Sequence, residues 1–209
     1  MIRLFVVLAT LTAAVGFSTP VTAADAAAGQ ASYAVCAACH GPAGQGNQAM
    51  NAPQIAGQAS WYTLRQLNAF QKGHRGTAAG DAYGAQMRPM AMAVSDPAQM
   101  ANLAAYIESL PAAKPAATLG GDAAAGQAAY AVCAACHGQK AEGQQALGGP
   151  ALANLNDWYL ARQLKNFKEG RRAYHPEDTY GAQMKPMSMT LADDTAINNV
   201  VAYIGTLAE

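Results

Sequence analysis

Sliding the 209-residue chain against itself by 97 positions superimposes its two halves without a gap. Asp25 falls on Asp122, Tyr33 on Tyr130, Cys36 on Cys133, Trp61 on Trp158, Met87 on Met184 and Tyr106 on Tyr203. Self-similarity over so long a stretch means that one complete unit has been duplicated, so the second copy must take whatever fold the first takes. Two domains are expected, over 24–111 and 120–209, with a linker at 112–119. A unit of this size buries only a modest core of its own. The chain is rich in Ala, Gly and Met but has four Phe and two Trp, so a large buried group in each unit would make up for the missing side chains.

All four cysteines lie at equivalent places in the two copies, as Cys36-Ala37-Ala38-Cys39-His40 and Cys133-Ala134-Ala135-Cys136-His137. C-x-x-C-H is the attachment pattern for haem c: two thiols form thioethers to the porphyrin and the adjacent imidazole binds the iron. Disulfides or a redox-active pair would also use C-x-x-C, but neither requires a histidine after each pair. Zinc held by thiolates and imidazoles would have to bridge the two copies. The motif therefore predicts two covalently bound haem c groups, with His40 and His137 as axial ligands.

The first 23 residues are of another kind. Arg3 precedes an apolar run from Leu4 to Phe17, and Val21-Thr22-Ala23 offers small residues for cleavage. A run of about 14 apolar residues is short for a membrane span, which needs about 20, so residues 1–23 are expected to be a cleaved export signal and the mature protein periplasmic.

Helical signals recur in each unit. Asp25 caps a first helix from Ala26 to about Ala34, with Gly29 and Tyr33 on one face. A loop carrying Pro53, or Pro150, follows. Ser60, or Asp157, is read as the cap of a second helix carrying Trp61, Tyr62, Arg65, Leu67 and Phe70, which ends near Gly73. A Gly-, Met- and Pro-rich loop spans Arg75 to Met92. Asp96 then starts a helix with Met100, Leu103, Ala104 and Ile107 at helical spacing. Nothing alternates as a strand would, so the fold class is all-α. The linker, with Pro111 and Pro115 at its start and Gly120-Gly121 after it, reads as an exposed spacer short enough to keep the domains in contact.

With a helix before each C-x-x-C-H, a Met-bearing loop and a closing amphipathic helix, each unit resembles a class I cytochrome c domain. The tandem pair resembles the di-haem cytochrome c4 family over the whole mature chain. The duplication and the short linker suggest that the two domains are related by a pseudo-twofold. The resemblance implies that in each the first helix crosses the last, Gly29 near Tyr106 and Gly126 near Tyr203. It implies that the carbonyls of Pro53 and Pro150 take the second imidazole nitrogen of the proximal histidines or line that face, where otherwise these prolines merely shape a turn. Counting back from Val94 and Leu191, it selects Met87 and Met184 as sixth ligands, ahead of Met90 and Met187, with Met92 and Met189 as packing. The two remaining histidines, His74 and His175, do not align across the repeat and are expected to be exposed loop residues. Arg75 and Arg172, with Arg65 and Arg162, are read as partners for haem propionates or as pins of the domain interface. Tyr62, Tyr159, Trp61, Trp158, Tyr83 and Tyr180 are read as haem-pocket packing.

Thirteen basic residues balance thirteen acidic ones, which removes the electrostatic case for a nucleic-acid partner. Lys165, Lys168, Arg171 and Arg172 form a local basic patch, expected to meet an acidic partner or the second haem's propionates. The functional expectation is a periplasmic electron carrier, not an enzyme. It would pass single electrons from a quinol-oxidising complex to a terminal oxidase or reductase, touching the membrane only through partners. The alternatives are a cytochrome subunit of a sulfide- or thiosulfate-oxidising dehydrogenase and, against the symmetry of the ligands, a di-haem peroxidase.

Overall fold

The structure is a computed structural model that describes residues 23–208, so the expected export signal lies almost wholly outside the described residues. The first half folds as α1 (Ala26–His40), α2 (Ser60–Gln71), α3 (Ala82–Met92) and α4 (Pro97–Ser109). The second repeats it as α5 (Ala123–His137), α6 (Asp157–Lys168), α7 (Thr179–Met189) and α8 (Asp194–Thr206). No strand occurs among the described residues; isolated bridges at Asn47–Ala52 and Gln144–Gly149 close the loops after α1 and α5. The two halves keep separate cores. One gathers Tyr33, Leu67, Phe70, Val94, Met100, Leu103 and Ile107, the other Tyr130, Leu160, Leu191, Ile197, Val200, Val201 and Ile204.

Each core is organised by the crossing of its first and last helices. Asp25 caps α1, its Oδ1 accepting from the N–H groups of Ala27 at 2.8 Å and Ala28 at 3.2 Å. Its own N–H donates to Asn102 Oδ1 on α4 at 2.8 Å, and Asp122 does the same toward Asn199. At the crossing, a Cβ on Gly29 would sit 2.0 Å from the Asn102 carbonyl oxygen and 2.9 Å from Tyr106 Cβ. A Cβ on Gly126 would sit 1.9 Å from Asn199 O. Only glycine permits that approach.

Two local readings change. α1 does not stop near Ala34 but runs on to His40, and the stretch read as a loop contains α3, with Pro89 inside it. Sequence periodicity misses α3 because its start depends on a cap folded back over a glycine. Asp81 accepts from the Gly84 N–H at 3.0 Å, and a Cβ on Gly84 would lie 2.0 Å from Asp81 Oδ2. The repeat does the same with Asp178 and Gly181. Ser60 and Asp157 are first helical residues rather than caps; Ala59 and Asn156 hold the cap positions, and neither side chain caps its helix, Asn156 Oδ1 accepting instead from the Gln54 N–H at 2.6 Å.

Asp157 instead holds the linker. Burial alone would raise its pKa, but the N–H groups of Leu119 and Thr118, the Thr118 hydroxyl and its neighbour's N–H hold it below the ordinary carboxylate value. Further along the linker, Gln54 donates to Ala113 O at 2.7 Å and Lys114 to Ala208 O at 3.2 Å. The spacer is tied down at three places. Gly121 does not loosen its end but presses on α8, where a Cβ would meet Asn198 O at 2.4 Å.

The domains meet through reciprocal contacts. Arg65 donates to Gly148 O at 2.6 Å and lies over the Tyr180 ring at 4.1 Å. Arg162 donates to Asn51 Oδ1 at 2.8 Å and lies over Tyr83 at 4.3 Å. Asn51 and Gly148 are 97 apart, as are Tyr83 and Tyr180. A residue of one half thus contacts the other half at the position its own repeat mate returns, which is the signature of a twofold.

Candidate haem sites

Because α1 continues through the motif, Cys36, Cys39 and His40 fall three and four residues apart, on one face of its last turns. α5 presents Cys133, Cys136 and His137 identically. Burial pushes the Cys36 and Cys133 thiols up, so they stay protonated as free groups. His40 and His137 are buried, and burial lowers both imidazoles, favouring the neutral ring that a metal requires. Their Nδ1 atoms lie 2.8 Å from Pro53 O and from Pro150 O. A carbonyl only accepts, so Nδ1 carries the proton and Nε2 keeps a lone pair free. The prolines that resemblance marked are therefore hydrogen-bond partners as well as turn residues. Beneath each histidine, Tyr33 and Tyr130 fix the end of the helix, donating to Gly41 O and Gly138 O at 2.7 Å. Burial pushes the Tyr33 phenol up to about 12, so it remains a donor.

Each motif opens on a cavity, of about 1370 Å³ in the first domain and 1360 Å³ in the second, open mouths included. Cys36, Cys39, His40 and Met87 line one; Cys133, Cys136, His137 and Met184 line the other. The three methionines of each copy separate by position on α3 and α7. Met87 is half-buried against the core, whereas Met90 is 40% exposed at the rim and Met92, 49% exposed, lines no cavity. Met184, Met187 and Met189 repeat the pattern. Exposed Val35 and Met50 share the first rim with Met90; Val132 and Leu147 share the second with Met187.

The cavities share walls. Tyr62, Gln66, Arg75, Tyr159 and Gln163 line both. Tyr83 lines the first and Tyr180 the second, while Trp61 and Trp158 lie outside both, each stacking on an interface arginine at 4.9 Å. Arg75 in the shared wall and Arg172 beside it in the second cavity are both buried, and neither takes part in an ion pair among the described residues. Arg75 donates to Gln66 Oε1 at 2.6 Å and to Gln163 Oε1 at 3.3 Å. Arg172 donates to the same two oxygens, at 3.4 and 3.1 Å. Burial and the Arg75 guanidinium both work against the charge of Arg172. The Nε atoms of both arginines are buried without partners. Two desolvated cations with donors to spare suit an anionic group brought into the cavity. Haem c, with its propionates, thus fits the thiols, the free imidazole lone pair, the cavity size and the unpaired guanidinium donors.

No local sequence pattern marks Gln66 and Gln163 as a bridge between the domains; their recurrence across the repeat is the one signal the sequence carries. The predicted basic patch does not form. Lys165 pairs with Asp194 at 2.7 Å, Arg171 with Glu169 at 2.6 Å, Lys168 donates to Leu191 O, and Arg172 is buried. His74 and His175 are not exposed loop residues either: His74 is buried, and their rings stack.

The Cytochrome c family model matches residues 26–111 and 123–208. Cytochrome c4 of Pseudomonas aeruginosa is 34% identical over 86% of this chain and 88% of its own length. A protein of Thiomonas intermedia named thiosulfate dehydrogenase electron acceptor is 43% identical over 68% of this chain and 67% of its own. The crystal structure of reduced recombinant cytochrome c4 from Pseudomonas stutzeri superposes with a TM-score of 0.69 at 30% identity, covering 88% of this chain and 98% of the other. With two duplicated domains, two C-x-x-C-H sites and a reciprocal interface, the chain belongs to the cytochrome c4 family of di-haem electron carriers, with two covalently bound haem c groups.

Proposed function

We propose that the protein carries single electrons in the periplasm, from a quinol-oxidising complex to a terminal oxidase or reductase, and that it catalyses no reaction of its own. The observation that supports this reading best is the pair of equivalent Cys-, His- and Met-lined cavities sharing walls across one interface. Haem c supplies a one-electron iron couple. Cys36 and Cys39, and Cys133 and Cys136, hold it by thioether bonds. His40 and His137 offer Nε2 as the proximal ligand, oriented by the Pro53 and Pro150 carbonyls. Met87 and Met184, the half-buried members of each methionine trio, would supply the iron's thioether ligand. A thioether there leaves no position for substrate and raises the potential relative to a second imidazole. Arg75 and Arg172 would receive the propionates, and the apolar rims around Met50 and Leu147 would meet redox partners.

The test is anaerobic mixing of the ferric holoprotein with membranes holding a quinol-oxidising complex. Both haems should be reduced, and added peroxide should not be turned over. Catalytic peroxide consumption would defeat the carrier reading in favour of a peroxidase. The likeness to a thiosulfate dehydrogenase electron acceptor favours a second donor, a sulfur-oxidising dehydrogenase. Size-exclusion of native extract separates the two: co-elution with that activity supports a subunit, and elution at the size of the chain alone supports a free carrier.

A further inference from the structure

The two histidines outside the C-x-x-C-H motifs come from opposite domains, yet they meet. His74 follows α2 and His175 lies between α6 and α7; their ring centroids are 4.2 Å apart and their planes 24° apart. Glu177 completes the group. Its Oε2 is 3.3 Å from His74 Nε2, and its N–H donates to His175 Nδ1 at 3.2 Å. One ligating atom from each of the three residues lies within 4.8 Å of the other two.

The repeat does not account for this meeting. Ninety-seven positions away stand Arg171, Ala78 and Gly80, and there Arg171 simply packs over Gly80. An ion pair would need only His74 and Glu177 and would give the second imidazole no role. The backbone segments that carry the three residues are already fastened together. Tyr174 donates its hydroxyl to Gly73 O at 2.8 Å, accepts from the Thr77 N–H at 3.2 Å, and lies 2.8 Å from Thr77 Oγ1. This clasp spans His74 on one side and adjoins His175 on the other.

We propose that His74, His175 and Glu177 form a binding site for a divalent transition-metal ion, zinc by preference, which clamps one domain to the other. Imidazole nitrogen and carboxylate oxygen are both zinc ligands, and three of them leave a fourth position for water. Bonds of about 2.0 Å in tetrahedral array place ligand atoms about 3.3 Å apart, the separation His74 Nε2 and Glu177 Oε2 already have. His175 joins by turning out of the stack. It exchanges the hydrogen bond from an exposed residue's N–H for the metal bond.

The sequence makes the test clean, because only four histidines are present and two belong to the haem sites. Titrating the holoprotein with zinc chloride in a calorimeter should show one saturable site per chain and a higher unfolding temperature for the loaded protein. His74→Ala and His175→Ala should each weaken binding at least tenfold with the haem spectrum unchanged. Glu177→Ala, at an exposed position, should weaken it without disturbing the fold. Absence of saturable uptake, or undiminished affinity in both histidine variants, would overturn the proposal.

Discussion

Three methionines in each copy share the same few residues of sequence, yet they differ in burial, and the proposed axial ligand is the half-buried one of each trio. Met87 is half-buried and lines the cavity, while Met90 and Met92 are turned progressively toward solvent by their places on α3. Met87→Ala should therefore remove half of the sulfur-to-iron absorption band of the ferric protein, and Met184→Ala the other half, while Met90→Leu leaves it intact. Loss of the band in Met90→Leu instead would reassign the ligand. Asp157 makes a different kind of prediction. Its folded pKa lies below the unfolded value of about 3.9, so its contribution is present above that value and is lost as pH falls through the folded pKa. Asp157→Asn should destabilise the protein at neutral pH, and denaturant titrations of variant and parent should converge as the pH drops below about 4. A constant difference down to acid pH would mean that the carboxylate's charge does not hold the linker.

At the scale of elements, the crossing of α1 with α4 decides where the C-x-x-C-H face points. Gly29→Ala forces a Cβ to within 2.0 Å of a backbone oxygen, an overpacking that costs about 1–3 kcal/mol. Gly205, near the end of α8, has nothing within 4 Å of such a Cβ, so Gly205→Ala should stabilise by up to about 1 kcal/mol through helix propensity. Thermal unfolding of the two variants should shift in opposite directions; a shared direction would contradict the packing account. Gly29 and the Asp25 and Asp96 caps were legible in the sequence because each leaves a local mark, an out-of-place glycine or a capping carboxylate before an apolar run. α3 was not. Pro89 and Gly84 argue against a helix one residue at a time, and only the folded-back Asp81 cap and packing on α2, where Arg88 donates to Phe70 O at 3.2 Å, hold it. Asp157 read as a cap by composition, but its partners lie 38 and 39 residues away in the linker, a distance no local pattern reports.

For the whole molecule, the duplication visible in the sequence foretells a twofold but not what meets on it. The meeting of Arg75 and Arg172 through Gln66 and Gln163, and of His74 with His175, arises only when the domains dock. Of the two roles expected for the arginines, pinning the interface is what the structure shows, and their Nε atoms remain without partners. If those guanidiniums also serve the haems, Arg75→Gln should lower at least one reduction potential, because a nearby positive charge favours the reduced iron. Lys72→Gln, on the exposed end of α2, should leave both potentials in place. The central claim is that the two cavities house two equivalent one-electron sites, each closed to substrate. Spectroelectrochemical titration of the holoprotein tests it most directly. Two electrons per chain should be taken up in one-electron steps, with both irons low-spin throughout. Uptake of a single electron, or a high-spin iron at either end of the titration, would contradict it.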